Sequence, residues 1–184
     1  MDIGASSYRR FLDGDDEGLT EIVENYKDGL ILYINSYVGN IHTAEELAED
    51  AFFRLITRKP GYSGRSSFKT WLYAIGRNVA VDYIRRNSRQ RKLSDTQPGQ
   101  DGEEQSMEQA YIREENKILV HRALSALSSD YRTILWLIYF EGFTNREAAK
   151  ILRKSDRQIK NLLYRAKLSL RSQLEKEDFY DENL

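Results

Sequence analysis

The sequence predicts an all-α protein with two small helical domains joined by a polar tether. Apolar residues recur at intervals of three and four over most of the 184 residues, and no window alternates convincingly with a period of two. One acidic stretch in the middle of the chain is nearly free of apolar residues. A chain of this length can form one compact domain or two small ones, and the polar stretch favours two.

Helical periodicity governs the chain before the tether. Amphipathic helices are predicted over Tyr8–Leu12 and Glu17–Asn25, the second continuing through Asp28–Val38. A further helix is expected to begin with Thr43 as its N-cap and to run to about Arg58.

A long helix predicted from Ser67 to about Arg91 carries the first group of candidate binding residues. Interleaved aromatic and basic residues suit single-stranded nucleic acid, because bases stack on rings while phosphates meet Arg and Lys. The amide of Asn78 can read a base edge, whereas Trp71 has the alternative role of a core anchor. The candidates, including one from the preceding loop, are Arg65, Lys69, Trp71, Tyr73, Arg77, Asn78, Arg85 and Arg86.

The last third of the chain has the pattern of a helix-turn-helix. Apolar helices over Ala123–Leu127 and Tyr131–Phe140 precede a short helix, a basic turn and a basic helix over Asp156–Leu174. Ser155 or Asp156 can cap that basic helix. One of its faces is apolar and is expected to be buried. The residues on its other sides are therefore the candidates for reading DNA. The candidates there are Arg157, Gln158, Lys160, Asn161, Tyr164, Arg165 and Lys167.

The net charge of −1 hides a strong segregation of charge along the chain. Residues 65–92 carry eight basic residues against one acidic residue, and residues 146–176 carry ten against three. Residues 2–50, by contrast, carry twelve acidic residues against three basic ones. Two basic blocks predict two polyanion-binding surfaces, the alternative being two solvated helix faces.

The predicted domains are residues 1–92 and 108–184, with residues 93–107 as the tether. The tether is polar and acidic and cannot bury enough apolar surface to become ordered, so we expect it to be flexible.

Composition excludes several classes of site. There is no cysteine, and the two histidines lack ligand-like spacing, so neither a disulfide nor a metal site is expected. No apolar run approaches the roughly 20 residues of a membrane helix, and the N-terminus lacks the form of a signal peptide. We therefore expect a soluble, cytoplasmic protein.

Three motifs stand in order along the chain: residues 40–58, with Ala44–Leu55 at their centre, residues 66–86, and residues 123–174, which include Tyr164–Lys167. The first two resemble conserved region 2, and the third resembles region 4, of bacterial RNA polymerase sigma factors of the extracytoplasmic-function group. Arg153 departs from the pattern, because a turn glycine is frequent there in the family.

The resemblance implies a promoter-specificity subunit that has no cofactor and catalyses no reaction. The helix over residues 44–58 would dock on core RNA polymerase through Glu49, Asp50 and Phe53. Residues 62–86 would open and read the minus-10 element, with Asn78 at the position of the family's base-reading amide. The helix-turn-helix would read the minus-35 element. Many members of the group are held by an anti-sigma factor, so such a partner is expected.

The sequence pattern has two alternative interpretations. A one-component transcription regulator, with an N-terminal dimerisation or effector domain, would account for the helix-turn-helix but not for Trp71, Asn78 and the basic helix around them. An enzyme is disfavoured, because paired carboxylates such as Glu45 and Glu46 lack a nucleophile–base set or a glycine-rich phosphate loop.

Overall fold

The computed structural model describes residues 2–93 and 115–176, which are mostly helical and contain no strand. The all-α prediction is therefore confirmed. In chain order the α-helices are α1 (Ile3–Leu12), α2 (Glu17–Val38), α3 (Ile41–Arg58), α4 (Phe68–Leu93), α5 (Glu115–Ser125), α6 (Ser129–Leu135), α7 (Asn145–Leu152) and α8 (Asp156–Lys176). A π-helical segment, Trp136–Phe140, continues α6.

Residues 2–93, the N-terminal half, contain α1–α4. Helix α3 begins earlier than the sequence indicated, because the Asn40 Oδ1 accepts a 2.9 Å hydrogen bond from the Thr43 N–H. The assignment of Thr43 as N-cap is therefore wrong. An asparagine three residues upstream caps the helix first and is a stronger N-cap residue than threonine. The helix ends at Arg58 as predicted, where Lys59 turns the chain with φ 40° ahead of Pro60.

A cluster of aromatic rings joins α1, α4 and the loop before α4. The rings of Tyr8, Tyr62, Phe68 and Trp71 lie with centroids 5.3–5.8 Å apart. The Tyr8 hydroxyl also donates a 2.8 Å hydrogen bond to the Pro60 carbonyl oxygen. These contacts fix the start of α4 against the first helix.

Residues 115–176, the C-terminal half, contain the expected helix-turn-helix as α7 and α8. Helix α7 starts with a capping box, in which Glu147 N–H donates to the Thr144 hydroxyl and Thr144 N–H donates to the Glu147 carboxylate. Arg153 ends it in the left-handed region, with φ 53°. Ser155 fills the predicted cap of α8, because its hydroxyl accepts from the Gln158 N–H at 3.2 Å.

The predicted single helix over Tyr131–Phe140 is two segments in the structure. Helix α6 ends at Leu135, and the next five residues form the π-helical segment, in which the Glu141 N–H donates to the Trp136 carbonyl oxygen at 3.1 Å. The Trp136 and Phe140 rings stack with centroids 4.3 Å apart. A π-helical turn has no signature in the spacing of apolar residues, so it could not be predicted from that spacing.

The two halves pack against each other through α2 with α6 and α4 with α7. The buried hydroxyls of Ser36 and Thr133 lie 3.0 Å apart, and the Arg132 guanidinium donates to the Ser36 carbonyl oxygen at 2.8 Å. At the other end of the contact, Lys150 Nζ donates to the Arg65 carbonyl oxygen at 3.0 Å.

The predicted tether, residues 93–107, falls almost entirely outside the described residues, as do the first residues of the predicted second domain. The domain limits 1–92 and 108–184 therefore stay predictions.

Candidate nucleic-acid interfaces

Helix α8 divides into a buried face and an exposed face, as the sequence predicted. Ile159 and Ala166 are buried against the rest of the C-terminal half, and Leu162, Leu163 and Leu170 are half-buried beside them. All seven candidate residues for the minus-35 element are exposed, and Tyr164 has 65% of its surface accessible.

The exposed face combines cations with groups that can read base edges. Lys160 and Asn161 lie one turn before Tyr164 and Arg165, so the four can face one groove. Lys167 Nζ lies 5.4 Å from the centre of the Tyr139 ring, which ties that lysine to the π-helical segment. The face can therefore bind phosphates and bases of duplex DNA together.

The candidate residues of the N-terminal half are less uniform in their exposure. Arg65, Arg85 and Arg86 are exposed, whereas Lys69, Arg77 and Asn78 are half-buried. Trp71 is half-buried in the aromatic cluster, which agrees with the alternative of a core anchor.

Tyr73 differs most from its expected position. The sequence placed it among the accessible, nucleic-acid-binding side chains of α4, but only 1% of its surface is exposed. That placement is wrong because its ring packs against Tyr33 of α2, with centroids 5.0 Å apart, and because Glu141 and Phe143 of the C-terminal half also cover it. The Tyr73 hydroxyl donates a 2.6 Å hydrogen bond to Glu141, and its ring meets the Phe143 ring edge-on at 5.0 Å.

Burial raises the pKa of the Tyr73 hydroxyl far above its usual value, and the charge and hydrogen bond of Glu141 add to the effect. Burial likewise raises the pKa of Tyr37 to about 12, although Tyr33 and Arg77 act in the opposite direction. Both hydroxyls therefore stay protonated and remain donors at physiological pH.

The candidate polymerase-binding residues lie together on the outer face of α3. Glu49 and Asp50 are exposed, and 62% of the Phe53 surface is accessible. One turn further on, Ile56 is 42% exposed, so two apolar side chains share the face with two carboxylates. Ile56 was not among the sequence-based candidates. It lies three residues after Phe53, and residues three apart share one face of a helix, so the sequence does contain a signal for it.

Within the described residues no helix is long and apolar enough to cross a membrane. Across that same part of the chain, histidine, aspartate and glutamate side chains form no cluster able to hold a metal ion.

Two family models match the chain, one in each half. Residues 22–90 match sigma-70 region 2, which includes α3 and almost all of α4. Residues 117–170 match sigma-70 region 4, which includes the helix-turn-helix.

Relatives align with the chain over most of their length. The chain is 29% identical over 171 residues to the ECF RNA polymerase sigma factor SigX of Bacillus subtilis (strain 168), covering 89% of this chain and 88% of the relative. It is 30% identical over 146 residues to the probable RNA polymerase sigma-C factor of Mycobacterium bovis, covering 78% and 76%.

A solved structure gives the same fold. The sigma factor RpoE, in complex with the anti-sigma factor NepR from Bartonella quintana, superposes with a TM-score of 0.67 at 24% identity, covering 85% of this chain and 96% of that one. With regions 2 and 4 both matched and relatives aligned over most of their length, the chain belongs to the extracytoplasmic-function (ECF) group of RNA polymerase sigma factors.

Proposed function

We infer that this chain is an alternative sigma factor, which binds core RNA polymerase, selects promoters and directs the start of transcription. The observation that carries the assignment is the presence of sigma regions 2 and 4 in one chain. Sigma factors are binding subunits, so the chain is not an enzyme. The match of residues 22–90 to region 2 rules out an unrelated regulatory domain in the N-terminal half.

Helix α8 is our proposed reader of the minus-35 element. Its seven candidate residues are exposed on a helix whose opposite side is packed, which leaves them free to enter a major groove. Asn161 and Arg165 would read base edges, because an amide pairs well with adenine and a guanidinium with guanine. Lys167 and Arg171 would bind the DNA backbone.

Helix α4 and the loop before it are our proposed minus-10 surface. Arg65, Arg85 and Arg86 are exposed and can meet phosphates, and Asn78 can accept and donate to one extruded base. Trp71 is half-buried, and we propose that its exposed part stacks on a base.

The outer face of α3 is our proposed dock for core polymerase. It presents Glu49 and Asp50 in one turn and the apolar side chains of Phe53 and Ile56 in the next turns, so an apolar patch adjoins an acidic one. Buried aromatic anchors within a polar rim are the usual arrangement of a protein interface.

An anti-sigma factor is the second protein partner that we propose. RpoE, which has this fold, is bound to one in its solved structure. We further propose that the protein acts in the cytoplasm, where core polymerase and promoter DNA are available.

The deciding experiment adds the purified full chain to sigma-free core polymerase and maps transcription start sites across the genomic DNA of the source organism. A shared promoter motif upstream of new starts is expected. Core polymerase that initiates at the same sites with and without the chain would contradict the proposal.

A further inference from the structure

One carboxylate joins the first turn of α1 to the first turn of α4. Asp2 is the N-cap of α1, and its Oδ1 accepts a 3.2 Å hydrogen bond from the Ala5 N–H. Its Oδ2 accepts a 2.7 Å hydrogen bond from the Phe68 N–H, 66 positions further along the chain. Phe68 is the first residue of α4, so Asp2 caps two helices together.

The cap that α4 supplies for itself serves a different amide. The Ser67 hydroxyl oxygen accepts a 3.2 Å hydrogen bond from the Thr70 N–H. The first N–H groups of an α-helix have no partner within the helix, and a single hydroxyl leaves others to be satisfied. The Phe68 N–H is satisfied from α1, so the first helix of the chain provides part of the N-terminal cap of the fourth.

Close packing surrounds this contact. Gly4, in the first turn of α1, is buried, and an added Cβ there would overlap the Phe68 ring and lie 2.6 Å from the Tyr26 hydroxyl oxygen. The rings of Phe68 and Tyr26 in turn lie with centroids 5.7 Å apart. The first turn of α1 therefore approaches the start of α4 as closely as a residue without a side chain allows.

The loop before α4 meets the same carboxylate. The Tyr62 hydroxyl donates a 2.5 Å hydrogen bond to the Ser66 carbonyl oxygen, and its oxygen lies 3.5 Å from Asp2 Oδ2. The Tyr62 ring also meets the Phe68 ring edge-on, with centroids 5.8 Å apart. Between Tyr62 and Ser66 the loop carries the exposed Arg65. Asp2 thus borders both parts of the proposed minus-10 surface, the loop and the start of α4.

The charge of Asp2 and its hydrogen bonds have opposite consequences for DNA binding. An exposed carboxylate beside a DNA-binding surface repels phosphates, so on charge alone its removal would tighten binding. The hydrogen bonds favour binding, because a surface that is already held in one arrangement loses less conformational freedom when it binds. The direction of the change in an Asp2 variant therefore distinguishes the two effects.

We propose that Asp2 is a positioning residue for the minus-10 surface, which holds the loop and the first turn of α4 in the arrangement that receives an extruded base. The proposal rests on the proposed function of that surface. Asp2 acts through the Phe68 N–H and does not itself touch the base. Without this hydrogen bond only a fraction of the molecules have the receptive arrangement, and the apparent affinity falls by that fraction.

Two substitutions separate the second cap from the first. Asparagine and serine are about as good as aspartate at an N-cap, so Asp2→Asn and Asp2→Ser keep the cap of α1. Each has one side-chain oxygen in place of two and cannot accept from Ala5 and Phe68 together. Asp16→Asn is the matched control, because Asp16 is exposed at the N-cap of α2 and makes no capping hydrogen bond through its side chain.

The first measurement is amide hydrogen exchange of the free full-length chain, followed by NMR. Exchange at the Phe68 amide should be about fivefold faster in both Asp2 variants, as expected for the loss of one capping hydrogen bond. The Gly39 amide, which bonds to the Asn35 carbonyl oxygen at the end of α2, should exchange as in wild type. Unchanged exchange at Phe68 in both variants would overturn the proposal.

The second measurement is promoter opening by core polymerase with each purified chain, at a promoter mapped with the wild-type chain. Permanganate reactivity at the minus-10 element should fall about fivefold for both Asp2 variants and should match wild type for Asp16→Asn. Pull-down of core polymerase should be equal for all of these chains, because the outer face of α3 is unchanged.

Each outcome of the second measurement decides the proposal. Opening by the Asp2 variants equal to that of wild type would overturn it, and greater opening would show that only the charge of Asp2 matters. Weaker pull-down of core polymerase would also overturn it, because the defect would then extend beyond the minus-10 surface. In these cases promoter opening by the wild-type chain still supports the proposed function, whereas a wild-type chain that opens no promoter refutes that function and this inference with it.

Discussion

The Thr70 hydroxyl donates a 3.3 Å hydrogen bond to Glu147 Oε1, which links α4 to the first turn of α7 across 77 residues of sequence. The same carboxylate accepts a 2.9 Å hydrogen bond from the Thr144 N–H through its other oxygen. Burial by itself raises the pKa of Glu147, but the hydrogen bonds from Thr144 and Thr70 outweigh it and hold that pKa below the usual 4.5.

Acid should therefore weaken the fold at this point. A carboxyl group whose pKa is lower in the folded state stabilises the fold above its unfolded pKa, and this contribution is lost as the pH falls through the folded value. We expect the wild-type melting temperature to fall more between about pH 5 and about pH 3 than that of Glu147→Gln, which has no charge to lose. Circular dichroism melting curves check this, and parallel losses in both proteins would contradict it.

Phe53→Ala should weaken core polymerase binding without unfolding the chain. Most of the ring is already in solvent, so its removal costs the fold little, while loss of an aromatic anchor from an interface should reduce affinity by about tenfold or more. Ile3→Ala is the matched control, because Ile3 is similarly exposed but lies on α1. Equal pull-down of core polymerase by both variants would remove Phe53 from the proposed dock.

Asn78→Ala should permit the closed promoter complex and impair melting, because a base-edge contact acts only after the base leaves the duplex. The loss should be about 1–3 kcal/mol for one base. Permanganate reactivity of thymines at the minus-10 element gives the measurement, with Asn25→Ala as an exposed amide control on α2. Reactivity equal to wild type would mean that another residue holds the base.

Asn161→Ala should change the sequence preference of DNA binding, whereas Lys167→Ala should change only its affinity. Removal of a base-reading side chain costs about 1–3 kcal/mol and relaxes preference at one position. Removal of a phosphate contact weakens binding to all DNA sequences alike. It also lowers the slope of log affinity against log salt concentration by about 1. Competition of holoenzymes for a library randomised at the minus-35 element separates the two. If Asn161→Ala keeps the wild-type preference, α8 is rotated differently in the groove.

Arg153→Gly should stabilise the C-terminal half. The Arg153 side chain is exposed, and its backbone is in the left-handed region, with φ 53°. Glycine adopts this conformation without a clash, because it has no Cβ. The expected gain is about 0.5–1 kcal/mol, after allowing for the greater freedom of glycine in the unfolded chain. Lys160→Gly, inside α8, should instead lose about 1 kcal/mol. Thermal unfolding of both variants measures the difference, and a loss in Arg153→Gly would contradict the argument.

Features determined within one helix could be predicted from the sequence. The buried and exposed faces of α8 follow from its own spacing of apolar residues, so every minus-35 candidate proved to be on the surface. The start of α3 was misjudged because Asn40 and Thr43 are both suitable caps and lie three residues apart. Tyr73 could not be placed from the sequence, because the residue that buries its hydroxyl lies 68 positions further along the chain.

The five-residue π-helical segment sets the direction in which Glu141 points. Its last hydrogen bond spans five residues instead of four, from the Glu141 N–H to the Trp136 carbonyl oxygen. Were one residue deleted there and the α-helix restored, everything after the deletion would rotate by about 100° around the helix axis. A relative that differs by that single deletion would keep a tyrosine and a glutamate in its sequence and yet never bring them together.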